Sequence, residues 1–403
     1  MPVTVKTIEK ATTIVRSFFD PSPLTHSHYF TELLGQEVFF KWDNQLRTGS
    51  FKERGVINFL SSLSPTERRK GVVAASAGNH AIALAYYSKK MKVPCNVIMP
   101  TWAPMVKIRA AEKYGANVRL YGSSFQEAYD EALAVADKQK ITFVSAYNDE
   151  RIVNGQGSCG LEILAQTTQA QQKSLAVVVP IGGGGLISGI ATAIKQLHPH
   201  IQIIGVQSRW VVEARKSGKR VAPFPPSSIA DGIAVKTIGT VTAPIIKRYV
   251  DQIVTVDEDE IGDAIIKLLE LEKTVIEGAG AAALAALLAK KVKKLPHNIV
   301  AVTCGSNIDM DLVSRLLTRD LIRKGRSGKI VFSVPDRPGS LNYITQLLSK
   351  AGANVIEVSH DRVCTELPGH VSIEFLLEHR DKQHKKATLA LLRESGLRVE
   401  ELF

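Results

Sequence analysis

Three short segments combine residue types that can do chemistry. Thr48-Gly49-Ser50-Phe51-Lys52-Glu53-Arg54-Gly55 sets a lysine behind an apolar residue at a glycine-punctuated helix start, after a strand predicted over 38–42. A lone lysine is ordinarily a solvated charge. An amine placed here can be desolvated, which loosens its proton and lets it condense with a carbonyl as a Schiff base. Ser76-Ala77-Gly78-Asn79-His80 follows an apolar run and opens the next helix. Small residues at a helix N-terminus suit a carboxylate, and Asn79 can bond a ring hydroxyl, although a plain N-cap has the same composition. A histidine at a helix start is more often a packing or surface residue than a base, so His80 is left out of the catalytic set.

The third segment, Gly182-Gly183-Gly184-Gly185-Leu186, joins a strand predicted over 177–180 to a helix over 187–197. Its backbone N–H groups are unobstructed, and the helix behind them adds partial positive charge, which makes a phosphate cup. A tight turn alone rarely needs four consecutive glycines. The segment lacks the Gly-Lys-Ser/Thr ending of a nucleotide P-loop and the spacing of a dinucleotide loop. A GxGxxA match at Gly278, Gly280 and Ala283 has no acidic residue about twenty positions on and reads as small-residue helix packing. The expected phosphate is therefore not a nucleotide's.

The elements that position these segments follow an α/β pattern. Val- and Ile-rich runs at 72–75, 96–99, 117–121, 176–180, 201–207 and 298–303 read as buried strands. Amphipathic helices at 103–114 and 125–140 lie between them. This alternation predicts a doubly wound parallel sheet, with ligands at the carboxyl ends of the strands. After Leu321 the polar, Gly-containing segment 323–328 reads as a linker. Residues 329–403 then switch to strand 330–334, helix 341–350, strands 355–361 and 370–378, helix 382–395 and strand 398–402. That is a βαββαβ, ferredoxin-like order.

The bulk properties exclude several classes. The 403 residues are too many for one compact core, and 45% hydrophobic with 22% charged residues is ordinary for a globular enzyme. Lys6, Glu9, Lys10 and Arg16 interrupt any apolar signal core. The run 279–289 is short and Ala-rich, which predicts a buried helix rather than a membrane span. Cysteines at 95, 159, 304 and 364 show no CxxC spacing, so neither a zinc site nor a disulfide frame is expected. The net charge of +12 comes from scattered clusters without aromatic interleaving and reads as a solvated surface rather than a nucleic-acid site.

In their order and spacing, the three segments and Thr303-Cys304-Gly305-Ser306-Asn307 resemble the threonine dehydratase group of the tryptophan-synthase-like, pyridoxal-phosphate (PLP) enzymes. The resemblance covers roughly residues 10–322. It implies a two-lobed, doubly wound PLP fold type II catalytic region over 1–322, with a smaller lobe of about 55–150 inserted in the larger. It implies Lys52 as the residue that carries pyridoxal 5'-phosphate and then acts as general base. Asn79 would contact the cofactor's 3-hydroxyl, and Gly182, Gly183, Gly184, Gly185 and Leu186 its phosphate. Cys304 would lie beside the pyridine nitrogen, although a buried thiol as filler is the plain alternative. Ser76, Ala77, Gly78, Asn79 and His80 would hold the substrate carboxylate, and Glu277 would lie near the cofactor. The implied reaction is β-elimination from L-threonine or L-serine to 2-oxobutanoate or pyruvate and ammonia, with isoleucine biosynthesis and a catabolic role both open.

Serine racemase and hydroxyaspartate dehydratase share the scaffold and are rival readings; a non-catalytic amino-acid sensor is a third. Racemases of this type carry a serine where Ala77 stands, and a metal-binding acidic cluster where Gly205-Val206-Gln207-Ser208-Arg209-Trp210 has no carboxylate. Racemisation is therefore expected to be weak, with no metal at that place. Dehydratases often have Gln-Gly where Ile82-Ala83 stands, which leaves substrate preference open. Residues 329–403 resemble an ACT domain. By that resemblance Asp336, Arg337, Pro338, Gly339 and Asn354 would hold an amino-acid effector where two copies pair, with a ligand-free dimerisation module as the alternative. The expectation is a cytoplasmic homo-oligomer, dimer or tetramer, with no membrane partner.

Overall fold

The computed structural model describes residues 2–217, 228–235, 237–362 and 367–403, so Cys364 lies outside the described residues. Two compact units emerge, 1–309 and 310–403.

Among the described residues, ten strands of the first unit form two sheets. In chain order they are β1 Leu24–His26, β2 Glu37–Trp42, β3 Val72–Ala75, β4 Cys95–Met99, β5 Asn117–Leu120, β6 Thr142–Phe143, β7 Leu175–Pro180, β8 Gln202–Ser208, β9 Gln252–Val256 and β10 Asn298–Thr303. The larger sheet runs β1-β2-β10-β7-β8-β9 and the smaller β5-β4-β3-β6. All pairs are parallel except β1 with β2. The apolar runs of β3, β7 and β10 are buried along their whole length, as strands covered by helices on both faces must be. The run at 117–121 is different. As β5 it is an edge strand paired with β4 alone, and Asn117, Arg119 and Leu120 are exposed. Its apolar composition is too weak, with Arg119 in the middle, to require cover.

Helix Glu150–Gln166 packs against Lys52–Ser61 and Gly185–Leu197, the helices that begin at the lysine and the glycine loop. Beneath the Lys52 helix lies a buried charge cluster. Arg54 bonds Asp43 through Nε at 2.8 Å and Nη2 at 2.7 Å, and Glu162 through Nη1 at 2.6 Å and Nη2 at 2.7 Å. Lys41 Nζ adds a contact to Glu162 at 2.7 Å. Two cations face two anions, all buried. Burial alone would raise the Asp43 carboxyl, but Arg54 and Lys41 override it and hold it below the usual carboxylate range. The cluster ties the lysine helix to the end of β2 and to helix Glu150–Gln166. Glu53, between Lys52 and Arg54, accepts from Thr48 N and the Tyr87 hydroxyl and so braces the preceding turn.

The second unit contains helix Met310–Arg323, then β11 Ser327–Pro335, helix Ser340–Ala351, β12 Asn354–Asp361, β13 His370–Glu378, helix Lys382–Glu394 and β14 Arg398–Glu401. The antiparallel sheet order β12-β13-β11-β14 is that of a ferredoxin-like βαββαβ unit. The linker expected at 323–328 is shorter in the structure. The helix runs to Arg323 and β11 begins at Ser327, because Ser327 and Gly328 pair with Glu378 and Leu377. Helix Met310–Arg323 groups with this unit rather than the first. No helix of the described residues is long and apolar enough to cross a membrane.

Candidate active site

The carboxyl ends of β2, β3, β7 and β10 supply the segments singled out in the sequence. Lys52 is the first residue of its helix. Its Nζ donates to Ala146 O at 2.9 Å. Burial lowers its pKa to about 8, opposed by the nearby Cys304 and Glu277. An amine in that range can both give and take a proton near neutrality.

The next residue after Ala146 connects this amine to the glycine loop. A Cβ on Gly183 would run into the Tyr147 ring, so only glycine lets that ring lie against the loop. Gly184 has φ +95°, a left-handed value that glycine adopts without strain, and it caps helix Gly185–Leu197 with no side-chain hydrogen bond. Thr242 Oγ1 donates to Gly183 O at 2.7 Å and holds the loop from behind. The first N–H groups of a helix have no partner inside it. Here no side chain caps them, so the start of a 13-residue helix is open to an anion.

On the other side of the lysine, Asn79 is held at both ends. Its Nδ2 donates to Glu277 Oε1 at 2.6 Å, and its Oδ1 accepts from Asn307 Nδ2 at 2.7 Å. Asn307 also donates to Thr48 O at 2.9 Å, which ties this network to the lysine turn. Cys304 is buried at the end of β10, and Phe51 N donates to its carbonyl at 3.0 Å. Burial, reinforced by Glu277, pushes the thiol far above its usual range, so it stays protonated and neutral. Burial, then the charge of Asp231, raises Glu277 to about 7. Ser76 and Ala77 lead into the helix start, Ser76 Oγ accepts from Gly78 N at 3.3 Å, and open space adjoins Gly78.

His80, the last residue of this segment, takes the packing role expected of a helix-start histidine. Its ring is buried against Val144 O, so its side chain is part of the packing. Sequence reasoning missed Tyr147, Thr242 and the junction at Ala146. Tyr147 and Thr242 are polar residues in loops without periodicity, and nothing in their spacing marks them. Asn307 stands in the fourth recognised segment, but its bonds to Asn79 and Thr48 join residues more than two hundred positions apart.

The five residues expected to hold an effector are not brought together within one chain. The turn 336–339 follows Pro335, which pairs with His370, and Gly339 has φ +97°. Asn354 pairs with Glu378, at the other end of β13. Eight residue steps along β13 separate the two ends, about 27 Å.

The raised Glu277 pKa makes a stability prediction for the cofactor-free chain. The folded state holds this proton more tightly than the unfolded state, whose ordinary value is 4.5. Stability from this group is complete below pH 4.5 and is lost as pH rises through 7. Glu277→Gln is therefore expected to match the parent chain near pH 4.5 and exceed it above pH 7 by on the order of 3 kcal/mol. Unfolding curves at the two pH values check this; an equal difference at both contradicts it.

A lysine of lowered pKa and an open, glycine-lined helix start at the strand ends of an α/β sheet suit an aldehyde cofactor with a phosphate tail. The chain belongs to the pyridoxal-phosphate dependent enzyme family, whose model matches residues 15–305. Pyridoxal phosphate is its cofactor. Over almost its whole length the chain is similar to an L-threonine ammonia-lyase of Thermotoga maritima, 39% identical over 401 residues, 98% of this chain and 99% of that protein. Among solved structures, the processed form of threonine deaminase isoform 2 from Solanum lycopersicum has a TM-score of 0.70 at 32% identity, covering 79% of this chain and 90% of that one. Maize serine racemase has a TM-score of 0.71 at 28% identity, covering 80% and 99%.

Proposed function

We propose that this chain is a pyridoxal-phosphate-dependent threonine and serine ammonia-lyase, forming 2-oxobutanoate or pyruvate and ammonia. The observation that carries the reading is the position of Lys52: a half-buried lysine whose amine has a pKa of about 8 and is joined through Ala146 and Tyr147 to the open glycine loop. Bound there, the cofactor supplies an electron sink for the pair left when the Cα proton is taken. Lys52 would hold the cofactor aldehyde, and its amine would take the Cα proton. Gly182–Leu186 with the helix start behind them hold the phosphate. Asn79, held by Glu277 and Asn307, would contact the ring hydroxyl. Cys304 offers the ring nitrogen a neutral thiol, which favours elimination over transamination. The Ser76–Asn79 backbone receives the substrate carboxylate in the open space at Gly78.

Ala77 has no hydroxyl to return a proton from the opposite face, which supports elimination over racemisation. An ammonia-release screen over L-threonine, L-serine, D-serine and hydroxyaspartate tests the reading. L-Threonine is expected to give 2-oxobutanoate faster than L-serine interconverts with D-serine. Racemisation exceeding ammonia release would refute it.

Residues 329–403 act in this reading as an ACT regulatory domain on a catalytic region of 1–322. The separation of Asn354 from the 336–339 turn supports a site built from two copies, the turn of one facing Asn354 of the other. Edge strand β12, with Val355, Ile356 and Val358 exposed, suits that pairing. Isoleucine and valine are the first effectors to add to the same screen.

A further inference from the structure

We infer that His80 is a positioning residue for the Lys52 amine, acting through the backbone of residues 144–147. This rests on the reading of Lys52 as the cofactor-bearing base. His80 is the second residue of helix Asn79–Lys90 and is only 2% exposed. Its Nε2 lies 3.1 Å from Val144 O. A carbonyl only accepts, so the ring proton sits on Nε2 and is donated there. Nδ1 is then a bare acceptor, buried and without a partner among the described residues. Burial, then the Lys52 charge, pushes the ring down to about 3. A neutral imidazole with that value takes no part in proton transfer near neutrality. Its remaining capacity is to hold Val144.

Val144 is where the chain leaves the small sheet. β6 is two residues long, and its pairing with β3 ends with Val144 N donating to Val73 O at 2.8 Å. The next few residues contact the active site in succession. Val144 O accepts from His80, Ala146 O accepts from Lys52 Nζ, and the Tyr147 ring lies against Gly183. The two donors come from the starts of two different helices, Asn79–Lys90 and Lys52–Ser61. They grip carbonyls two residues apart on one short segment. His80 thereby couples the asparagine loop to the lysine and to the phosphate cradle. Without its N–H, Val144 O is left without this donor, and a polar atom in that state re-sits toward any other donor. The acceptor for Lys52 moves with it.

The test uses the full-length, cofactor-loaded enzyme with His80→Gln, His80→Asn and His80→Leu. Glutamine places an amide N–H close to where Nε2 stands. Asparagine is one methylene shorter, and leucine has no donor. Three readouts are taken: the visible absorbance band of the lysine–cofactor linkage, kcat and KM for L-threonine, and the thermal midpoint of the cofactor-free chain. His80→Gln is expected to keep the parent's band and to stay within about threefold in kcat. His80→Leu and His80→Asn are expected to lose about 100-fold in kcat with little change in KM, because displacements near 1 Å have that effect on a reacting geometry. Their bands shift while their thermal midpoints stay close to that of His80→Gln. If leucine does not fold, the comparison of asparagine with glutamine carries the test. Equal kcat and identical bands in glutamine and asparagine variants overturn the inference alone. A parent enzyme with no visible band overturns the Lys52 reading and this inference together.

Discussion

Lys52→Ala is expected to lower ammonia release from L-threonine by at least about 10³-fold, since the variant loses both a covalent anchor and a general base. The same variant, purified without reductant, is expected to lack the visible absorbance of the lysine–cofactor linkage. Both effects come from one amine whose pKa burial has lowered to about 8. Lys52→Arg separates charge from chemistry. Arginine keeps a cation and a donor for Ala146 O, yet it stays protonated and cannot form the linkage. It is expected to be as inactive as alanine. A Lys52→Ala enzyme that retains more than a tenth of the parent rate would show that the base lies elsewhere.

Arg54→Met is expected to have the largest effect on stability. Arg54 bonds both Asp43 and Glu162, and all three are buried. Burial works against its charge, but the two carboxylates hold the guanidinium firmly protonated. Removing it leaves two buried anions facing Lys41 alone. Breaking a buried pair in this way costs about 3–5 kcal/mol. In a unit of this size the thermal midpoint falls by on the order of 10 °C. Combining Arg54→Met with Asp43→Asn is expected to recover part of the loss, since the one remaining anion, Glu162, then faces the one remaining cation, Lys41. A single variant that unfolds within 1 °C of the parent would mean that the cluster contributes nothing net.

The parts of the site readable from sequence are those whose chemistry is local. Lys52 beside Phe51, the glycine run 182–185 and the helix start at Asn79 each declare themselves within a few residues, because helix starts and strand ends have their own composition. The βαββαβ order of the C-terminal unit was legible for the same reason, from periodicity in short windows. What stayed hidden depends on distant partners. His80 looks like a helix-start histidine until the fold brings Val144 against it. Asn79 and Glu277 meet across 198 positions. Edge strand β5 was read as buried because composition reports hydrophobicity and not position in a sheet. The opposed placement of Asn354 and the 336–339 turn follows from strand direction: β11 and β12 both run antiparallel to β13, so the end of one and the start of the other lie at opposite ends of the sheet.

Helix Gly278–Leu288 carries a consequence for measurement. Ala279, Ala281, Ala282, Ala283, Ala285 and Ala286 are all buried in it, and Gly280 allows its backbone to approach Gly305 O more closely than any Cβ would permit. Alanine and glycine give up no rotamers when a chain orders. A segment so deeply enclosed has little reason to breathe on its own, and its amide protons exchange with deuterated solvent only when the whole catalytic unit opens. It is an internal stopwatch: every other region's exchange, with or without ligand, can be timed against it in a single experiment.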